Sequence, residues 1–264
     1  SAASDVYKRQ NEVIEDAEET VDVACTNIFD ANRYNLKSKQ KKIVLGSTIP
    51  ATGTNLRYYN FPGGSYSAKS GTTSGAKYIP ITKESIKTHI NSARDALINY
   101  YLKTKNYKPI NGKHIFLQGS PKLEKKNGVF IGRLSGIGAH YIPKLFLNNR
   151  KPSWKTNCIE DWEEKVDTII KETVGEKLTI IAGIPSWVQM YFEKIIKKSN
   201  KKNISEVFKN FELYIYGGVN FSPYERIFRK LIGKKIDSIE YYPASEGFFA
   251  YQNSQADKSL LLEF

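Results

Sequence analysis

Apolar positions between residues 82 and 242 follow two alternating spacings. Apolar side chains recur every three or four positions in four stretches, which predicts helices at 82–101, 162–174, 185–197 and 222–233. Short apolar or alternating runs predict strands at 114–117, 178–182, 213–216 and 236–242. Repeated strand-helix-strand units predict an α/β fold with a mostly parallel sheet flanked by helices, and such a sheet binds ligands at the carboxyl ends of its strands.

The helical stretches also predict where each helix begins and which face it buries. Thr82 is expected to cap the first helix, and Ser222-Pro223-Tyr224-Glu225 reads as a capping box that opens a helix ending at Gly233. Inward-facing side chains are expected at Ile86, Ile90, Ala93, Leu97 and Tyr101, then at Trp162, Val166, Ile169, Ile170 and Val174, and then at Trp187, Tyr191 and Ile195. Because no linker or internal repeat divides residues 61–264, we treat them as one domain.

A hydroxyl-rich glycine segment precedes the first helix. It contains Ser70, Gly71, Thr72 and Thr73 and ends at Lys77. Glycine lets the backbone fold tightly around phosphate oxygens, and the hydroxyls and ammonium add donors. The spacing is not that of a P-loop ATPase, because its two glycines are too close. The segment predicts a nucleotide-phosphate loop, and a flexible surface loop is the alternative.

A second candidate segment follows the strand at 236–242. Tyr242, Pro243, Ala244, Ser245 and Glu246 place an aromatic ring and a carboxylate four positions apart. The ring can stack on a purine, and the carboxylate can hold the Mg²⁺ that accompanies the phosphates. The alternative is a strand-terminating turn with an exposed glutamate.

The glycine pair Gly217-Gly218 follows the strand at 213–216. Glycine at a strand end permits the close approach of a flat ring to the backbone. Both this pair and residues 242–246 lie just past predicted strand ends, where an open α/β sheet binds its ligands. That placement supports a nucleotide site.

Composition narrows the setting of the protein. Of its 264 residues 40% are apolar, and no apolar run approaches the length of a membrane span. Cys25 and Cys158 share no metal or redox spacing, which points to a reducing compartment, the cytoplasm. The three histidines are scattered, so a zinc site is not expected.

The chain carries a formal net charge of +13. Lysine runs at 37–42 and 197–202 keep a basic nucleic-acid-binding module open as a remote alternative. The lysines stand in short polar bursts between periodic segments, and no nucleic-acid motif accompanies them. A solvated lysine-rich surface is therefore the preferred interpretation, and its positive potential would help to attract ATP and a carboxylate.

Four ordered motifs and two supporting segments resemble the Gretchen Hagen three family of auxin-responsive acyl-acid amido synthetases, and its bacterial branch in particular. The resemblance covers residues 61–264. The motifs are Ser70-Gly71-Thr72-Thr73, Ala182-Gly183-Ile184-Pro185-Ser186-Trp187, Tyr216-Gly217-Gly218-Val219 and Tyr242-Pro243-Ala244-Ser245-Glu246-Gly247-Phe248-Phe249, with support from 80–85 and 161–165.

The resemblance implies an ATP- and Mg²⁺-dependent ligase of the adenylate-forming superfamily. A small carboxylic acid would be activated as an acyl adenylate and passed to an amine such as an amino acid. The alternative is an acyl-CoA or other adenylate-forming ligase, with a thiol as acceptor. The implied phosphate donors are Ser70, Thr72, Thr73 and Lys77, with Ser245 at the α-phosphate; Glu246 holds the metal, and Tyr242 faces Gly217, Gly218 and Val219 across the adenine.

The sequence departs from the family pattern in two places. Lys69 stands where the family usually has a second serine. The ribose-binding motif and the small C-terminal domain of the family would lie beyond residue 264, so we expect an inactive fragment of a large adenylation domain. Residues 1–60 match the family poorly, and residues 1–10 resemble a recurrent artefact of metagenomic reading frames.

Two interpretations of Trp187 remain open. The residue lies either near the acyl pocket, as the resemblance implies, or in the core as a packing anchor.

Overall fold

The computed structural model describes residues 66–72, 75–126, 129–142 and 147–262. The expectations for residues 1–60 and for Thr73 therefore lie outside the described residues. The described part of the chain contains two β-sheets with helices packed against them.

The larger sheet has seven strands in the order β11-β10-β9-β8-β7-β3-β6. Strands β3, β6, β7, β8 and β9 pair in parallel, whereas β10 and β11 extend the sheet in antiparallel fashion. Their bounds are Lys113–Leu117 (β3), Arg150–Lys151 (β6), Leu178–Gly183 (β7), Leu213–Gly217 (β8), Asp237–Ala244 (β9), Gly247–Gln252 (β10) and Leu260–Leu262 (β11). The predicted mostly parallel α/β sheet is confirmed.

The smaller sheet has four strands in the order β2-β1-β5-β4. Strands β1 and β2 form an antiparallel hairpin, and β1 also pairs in parallel with β5. The bounds are Tyr66–Thr72 (β1), Gly75–Ile81 (β2), Glu124–Lys126 (β4) and Val129–Gly132 (β5).

Helices flank the sheets. Their bounds are Lys83–Thr104 (α1), Leu134–Ala139 (α2), Trp154–Asn157 (α3), Trp162–Thr173 (α4), Pro185–Ser199 (α5), Ile204–Val207 (α6) and Glu225–Ile232 (α7), with 3₁₀ turns at Lys108–Asn111 and Ser222–Tyr224. Among the described residues no helix combines the length and apolar character needed to cross a bilayer.

Both faces of the large sheet are buried. One face packs with α4, α5 and α7, through a cluster that includes Ile181, Tyr214 and Phe228. The other face carries Ile180 and Ile215, which pack against Tyr100 of α1. A strand covered on both faces needs apolar side chains at successive positions, which explains the continuous apolar runs that predicted β7 and β8.

Helix α1 buries a wider face than the predicted one. Thr82 caps the helix as expected, since its Oγ1 accepts a hydrogen bond from the Ser85 amide at 3.1 Å. The buried residues are Ile86, His89, Ser92, Ala96 and Tyr100, whereas Ile90, Ala93, Leu97 and Tyr101 are only half-buried. The helix packs against both β9–β10 and α2, so its buried stripe is wide and takes in two polar residues.

The predicted capping box at Ser222 is wrong. No side-chain cap is formed there, and Ser222–Tyr224 is a 3₁₀ turn that leads into α7. The Ser222 amide instead donates to Oδ1 of Asn220 at 2.9 Å. The end of α7 agrees with the prediction, because Gly233 adopts a left-handed conformation with φ of 79°.

Ile181→Ala is expected to destabilise the fold by about 2–5 kcal/mol, because it opens a cavity at a residue that is 0% exposed in the central strand β7. Chemical denaturation should measure the loss. Ile98→Ala removes the same side chain at a position that is 45% exposed, and it should change the unfolding free energy far less. Equal losses in the two variants would contradict the assignment of β7 to the core.

Candidate functional site

One edge of the large sheet collects the carboxyl ends of its parallel strands. Strands β3, β7, β8 and β9 end there at Leu117, Gly183, Gly217 and Ala244. We call this the carboxyl edge. Loops at the carboxyl edge of an open α/β sheet are where such folds bind ligands.

The glycine pair after β8 lies beside the strand that carries Tyr242. Gly217 pairs with Tyr241 across the parallel ladder. A Cβ added to Gly217 would stand 2.2 Å from the carbonyl oxygen of Tyr241, so glycine is required here by the neighbouring strand. Gly218 has φ of 79°, and a Cβ there would meet no described atom within 4 Å. The space open to a flat ring is therefore at Gly218 and not at Gly217.

Residues 242–244 are extended, which corrects the prediction of a turn that starts at Tyr242. Strand β9 continues to Ala244, and only Ser245 and Glu246 form the turn into β10. Tyr242 is 47% exposed, and its ring centroid lies 5.6 Å from that of Phe249, which is 41% exposed. An accessible aromatic pair thus stands close to the open backbone of Gly218.

Glu246 is exposed at the tip of this turn. Within the described ranges no group of three or more His, Cys, Asp or Glu side chains is placed to hold a metal. A single accessible carboxylate suits a Mg²⁺ ion that arrives with phosphate oxygens as its other ligands, because Mg²⁺ is commonly bound through one or two carboxylates plus substrate. Glu246 fits that mode of binding.

The glycine segment at 70–77 is a β-hairpin and not an open loop. Ser70, Gly71 and Thr72 belong to β1, where Ser70 pairs with Lys77 and Thr72 pairs with Gly75. The tip at residues 73–74 and the side chain of Lys77 lie outside the described residues. The structure thus gathers Gly217, Gly218 and residues 242–246 on one sheet and places the glycine segment on the other.

Trp187 takes part in packing. Helix α5 begins at Pro185, and the Trp187 ring lies 4.5 Å from that of Trp162, centroid to centroid. The indole N–H of Trp162 points to the sulfur of Met190 at 2.8 Å. Trp187 is half-buried, and its contact with Trp162, which packs against the core, favours the interpretation as a core anchor.

Solved structures share this fold. No family model matches the sequence, and no curated protein matches it. A structure described as "AtGH3.15 acyl acid amido synthetase in complex with 2,4-DB" aligns with a TM-score of 0.58 and 11% identity over 75% of this chain and 44% of that chain. A second, "GH3.15 acyl acid amido synthetase", aligns with a TM-score of 0.55 and 10% identity over the same shares.

The chain has the fold of part of an acyl acid amido synthetase. At this level of identity the likeness concerns the fold alone. The chain also spans less than half the length of the two solved amido synthetases, 44% of each. The structural comparison therefore supports the fold and not a reaction. Any assignment of chemistry must come from the residues at the carboxyl edge.

Sequence reasoning missed a half-buried acid next to the glycine pair of this amido-synthetase fold. Glu240 of β9 is half-buried, and the hydroxyl of Tyr216 donates to its Oε2 at 3.4 Å. Burial raises the pKa of the Glu240 carboxyl, and burial together with Glu240 raises the pKa of Tyr216. The pairing of the two predicted strands was the signal that would have brought these residues together.

Sequence reasoning also missed a buried lysine. Lys165 of α4 is 2% exposed, and its Nζ donates to the carbonyl oxygens of Gln118 at 2.9 Å and Asn157 at 2.7 Å. Burial lowers the pKa of Lys165, Cys158 opposes the shift and Arg133 adds to it, and the resulting pKa is about 8. Val174, which was expected to face inward, is 53% exposed instead.

Gly217→Ala is expected to destabilise the protein by about 1–3 kcal/mol, because the new Cβ overlaps the Tyr241 carbonyl and forces β8 and β9 apart. Thermal or chemical denaturation should show the loss. Gly138→Ala is the control, since a Cβ there meets no described atom within 4 Å. A neutral Gly217→Ala variant would argue against the register of these two strands.

Because the pKa of buried Lys165 is lowered, we expect the stability of the fold to depend on pH. The unfolded chain keeps its lysine protons up to about pH 10, whereas the folded Lys165 loses its proton near its lowered pKa of about 8. The unfolded state then binds more protons, so the unfolding free energy should rise by about 1.5 kcal/mol between pH 8 and pH 9.5. Above about pH 10 the raised pKa values of buried tyrosines such as Tyr191 reverse the trend.

Denaturation of Lys165→Met across the same pH range is the comparison. The variant leaves two carbonyl oxygens without their donor, so its stability at any one pH is also altered. The slope is the informative quantity, and it should flatten between pH 8 and pH 9.5. An unchanged slope in the variant would assign the pH dependence to another group.

Proposed function

We propose that this chain is part of an adenylate-forming ligase that activates a small carboxylic acid with ATP and passes the acyl group to an amine, such as that of an amino acid. One observation carries the proposal. The open backbone at Gly218, the accessible ring of Tyr242 and the carboxylate of Glu246 lie together at the carboxyl edge of a sheet with the amido-synthetase fold.

The adenine subsite is proposed at the ends of β8 and β9. Tyr242 would stack on the purine, and Gly217, Gly218 and Val219 would form the opposite wall. Stacking of an exposed tyrosine on a base requires a ring face that is open to solvent, which the exposure of Tyr242 supports. Pro243 and Ala244 continue the strand beside this subsite and hold the turn that follows.

The phosphate subsite is proposed between that turn and the glycine hairpin. Glu246 would hold Mg²⁺, which supplies positive charge to the phosphate oxygens, and the Ser245 hydroxyl would donate to the α-phosphate. The donors assigned to the other phosphates are Ser70, Gly71, Thr72, Thr73 and Lys77. Fixed donors of this kind stabilise the charge that develops as an acid carboxylate attacks the α-phosphorus and pyrophosphate leaves, and loss of one typically costs about 3 kcal/mol of barrier.

In this proposal residues 61–264 are part of a large adenylation domain of the bacterial branch, acting in the cytoplasm. The acid and the amine acceptor are the co-substrates. Because the chain spans 44% of the solved structures, the step to measure first is the binding of Mg·ATP.

Tyr242→Ala is expected to weaken the binding of Mg·ATP about tenfold or more, because base stacking is worth about 1–3 kcal/mol. Glu246→Gln should weaken Mg·ATP while changing metal-free ATP much less. Isothermal titration calorimetry measures both. Tyr107→Ala is the matched control, since Tyr107 is an equally exposed tyrosine that precedes β3 at the opposite edge of the sheet.

Two results would count against the proposal. The first is an unaltered chain that binds no Mg·ATP at millimolar concentrations. The second is a Tyr242→Ala variant that binds like the Tyr107→Ala control.

A further inference from the structure

The buried ammonium of Lys165 has no acidic partner among the residues that the structure describes. Its Nζ spends two of its three protons on the carbonyl oxygens of Gln118 and Asn157. Carbonyls carry only partial charge, whereas the burial of a full charge is costly unless an opposite charge compensates it. Lys165 therefore retains an uncompensated positive charge and a spare donor.

A second cation lies beside the first. Arg133 precedes α2 and crosses the backbone of Gly119, where an added Cβ would stand 2.7 Å from its Cδ, 3.5 Å from its Nε and 3.6 Å from its Nη1. Its charge acts on Lys165. No ion pair or hydrogen bond joins the Arg133 side chain to any part of the chain that is described. Two like charges thus stand near each other without an intervening acid.

An unused amide donor completes the group. The side-chain nitrogen of Gln118 is buried and has no hydrogen-bond partner in the described structure. An unsatisfied buried donor costs about 1–3 kcal/mol. Gln118 is next to both cations in space, because its own carbonyl accepts from Lys165 and Arg133 crosses the next residue, Gly119.

Gln118 directly follows the end of β3 at Leu117, and Lys165 and Arg133 contact residues 118 and 119. The group therefore lies at the carboxyl edge. Strands β7 and β8 follow β3 in the sheet order, and neighbouring strands stand about 4.8 Å apart, so the group lies about 10 Å from the end of β8. The turn at Glu246, which follows β9, is one strand farther. A nucleotide phosphate held at that turn would therefore leave the donors after β3 free for another ligand.

We propose that Gln118, Arg133 and Lys165 form a binding site for a carboxylate at the carboxyl end of β3. A carboxylate would neutralise the two cations. Its oxygens would accept hydrogen bonds from the third N–H of Lys165 and from the Gln118 amide. The planar guanidinium of Arg133 can also donate two parallel hydrogen bonds to a carboxylate. The assignment of this carboxylate to the acid or to an amino-acid acceptor rests on the proposed function. The binding of a carboxylate at this site does not depend on that function.

Gln118→Glu is the first test. The substitution keeps the shape of the side chain and places a carboxylate where the ligand group would bind. Thermal denaturation should show a higher midpoint for this variant than for the unaltered chain, because the new charge pairs with Lys165 and Arg133. A lower midpoint would show that the cations do not converge on Gln118 and would overturn the proposal.

Ligand binding is the second test, with sodium acetate, glycine and inorganic phosphate as probes at constant ionic strength and without ATP. Acetate or glycine should raise the denaturation midpoint of the unaltered chain in a saturable manner. Arg133→Gln should weaken the effect about tenfold, and Gln118→Glu should abolish it. Arg229→Gln, which removes another exposed arginine, on α7, should leave it unchanged.

The probes separate the possible sources. A stronger response to glycine assigns the site to an amino-acid acceptor, and a stronger response to acetate assigns it to the acid. An equal or stronger response to phosphate, no response to any probe, or equal losses in Arg133→Gln and Arg229→Gln would each overturn the proposal. Because ATP is absent, failure here leaves the Mg·ATP measurement as an independent test of the proposed function.

Discussion

Parallel pairing of β3, β7, β8 and β9 is the constraint on which the rest of this structure depends. In a parallel ladder the strands run in one direction, so every strand delivers the residues that follow it to the same edge. Segments more than 120 residues apart in sequence, after Leu117 and after Ala244, reach that edge together. The candidate nucleotide and carboxylate sites are both consequences of this arrangement.

Burial on both faces of the sheet explains why polar chemistry concentrates at the edge. Side chains such as Ile181 and Ile215 must be apolar, since helices cover the sheet on each side. Polar groups that remain inside need partners, as Thr173 and Tyr191 show with their mutual hydrogen bond of 2.8 Å. At the carboxyl edge the Gln118 amide departs from that rule, and Lys165 has carbonyl partners but no acidic one among the described residues, which is why we propose a ligand site there.

The sequence predicted the elements more reliably than their ends and faces. Strands β7 and β8 were predictable because a doubly covered strand leaves an uninterrupted apolar run. The extension of β9 through Pro243 was not, because proline and small residues usually mark a turn, and the antiparallel pairing with β10 overrides that preference. The glycine segment at 70–77 was likewise predicted as a loop, whereas its pairing makes it a hairpin.

By itself the sequence determined the α/β class and the main strand positions, because the spacing of apolar residues depends only on their order in the chain. It also identified candidate nucleotide-binding residues from their local chemistry, namely Gly217, Gly218, Tyr242 and Glu246. Only the tertiary structure decided that Gly217 is required by the Tyr241 carbonyl while Gly218 is open. Only the tertiary structure, likewise, placed Lys165 beside Gln118 and Arg133. A lysine in a helical pattern is indistinguishable from a solvated one until packing brings other parts of the chain around it, since burial and charge proximity depend on three-dimensional contacts.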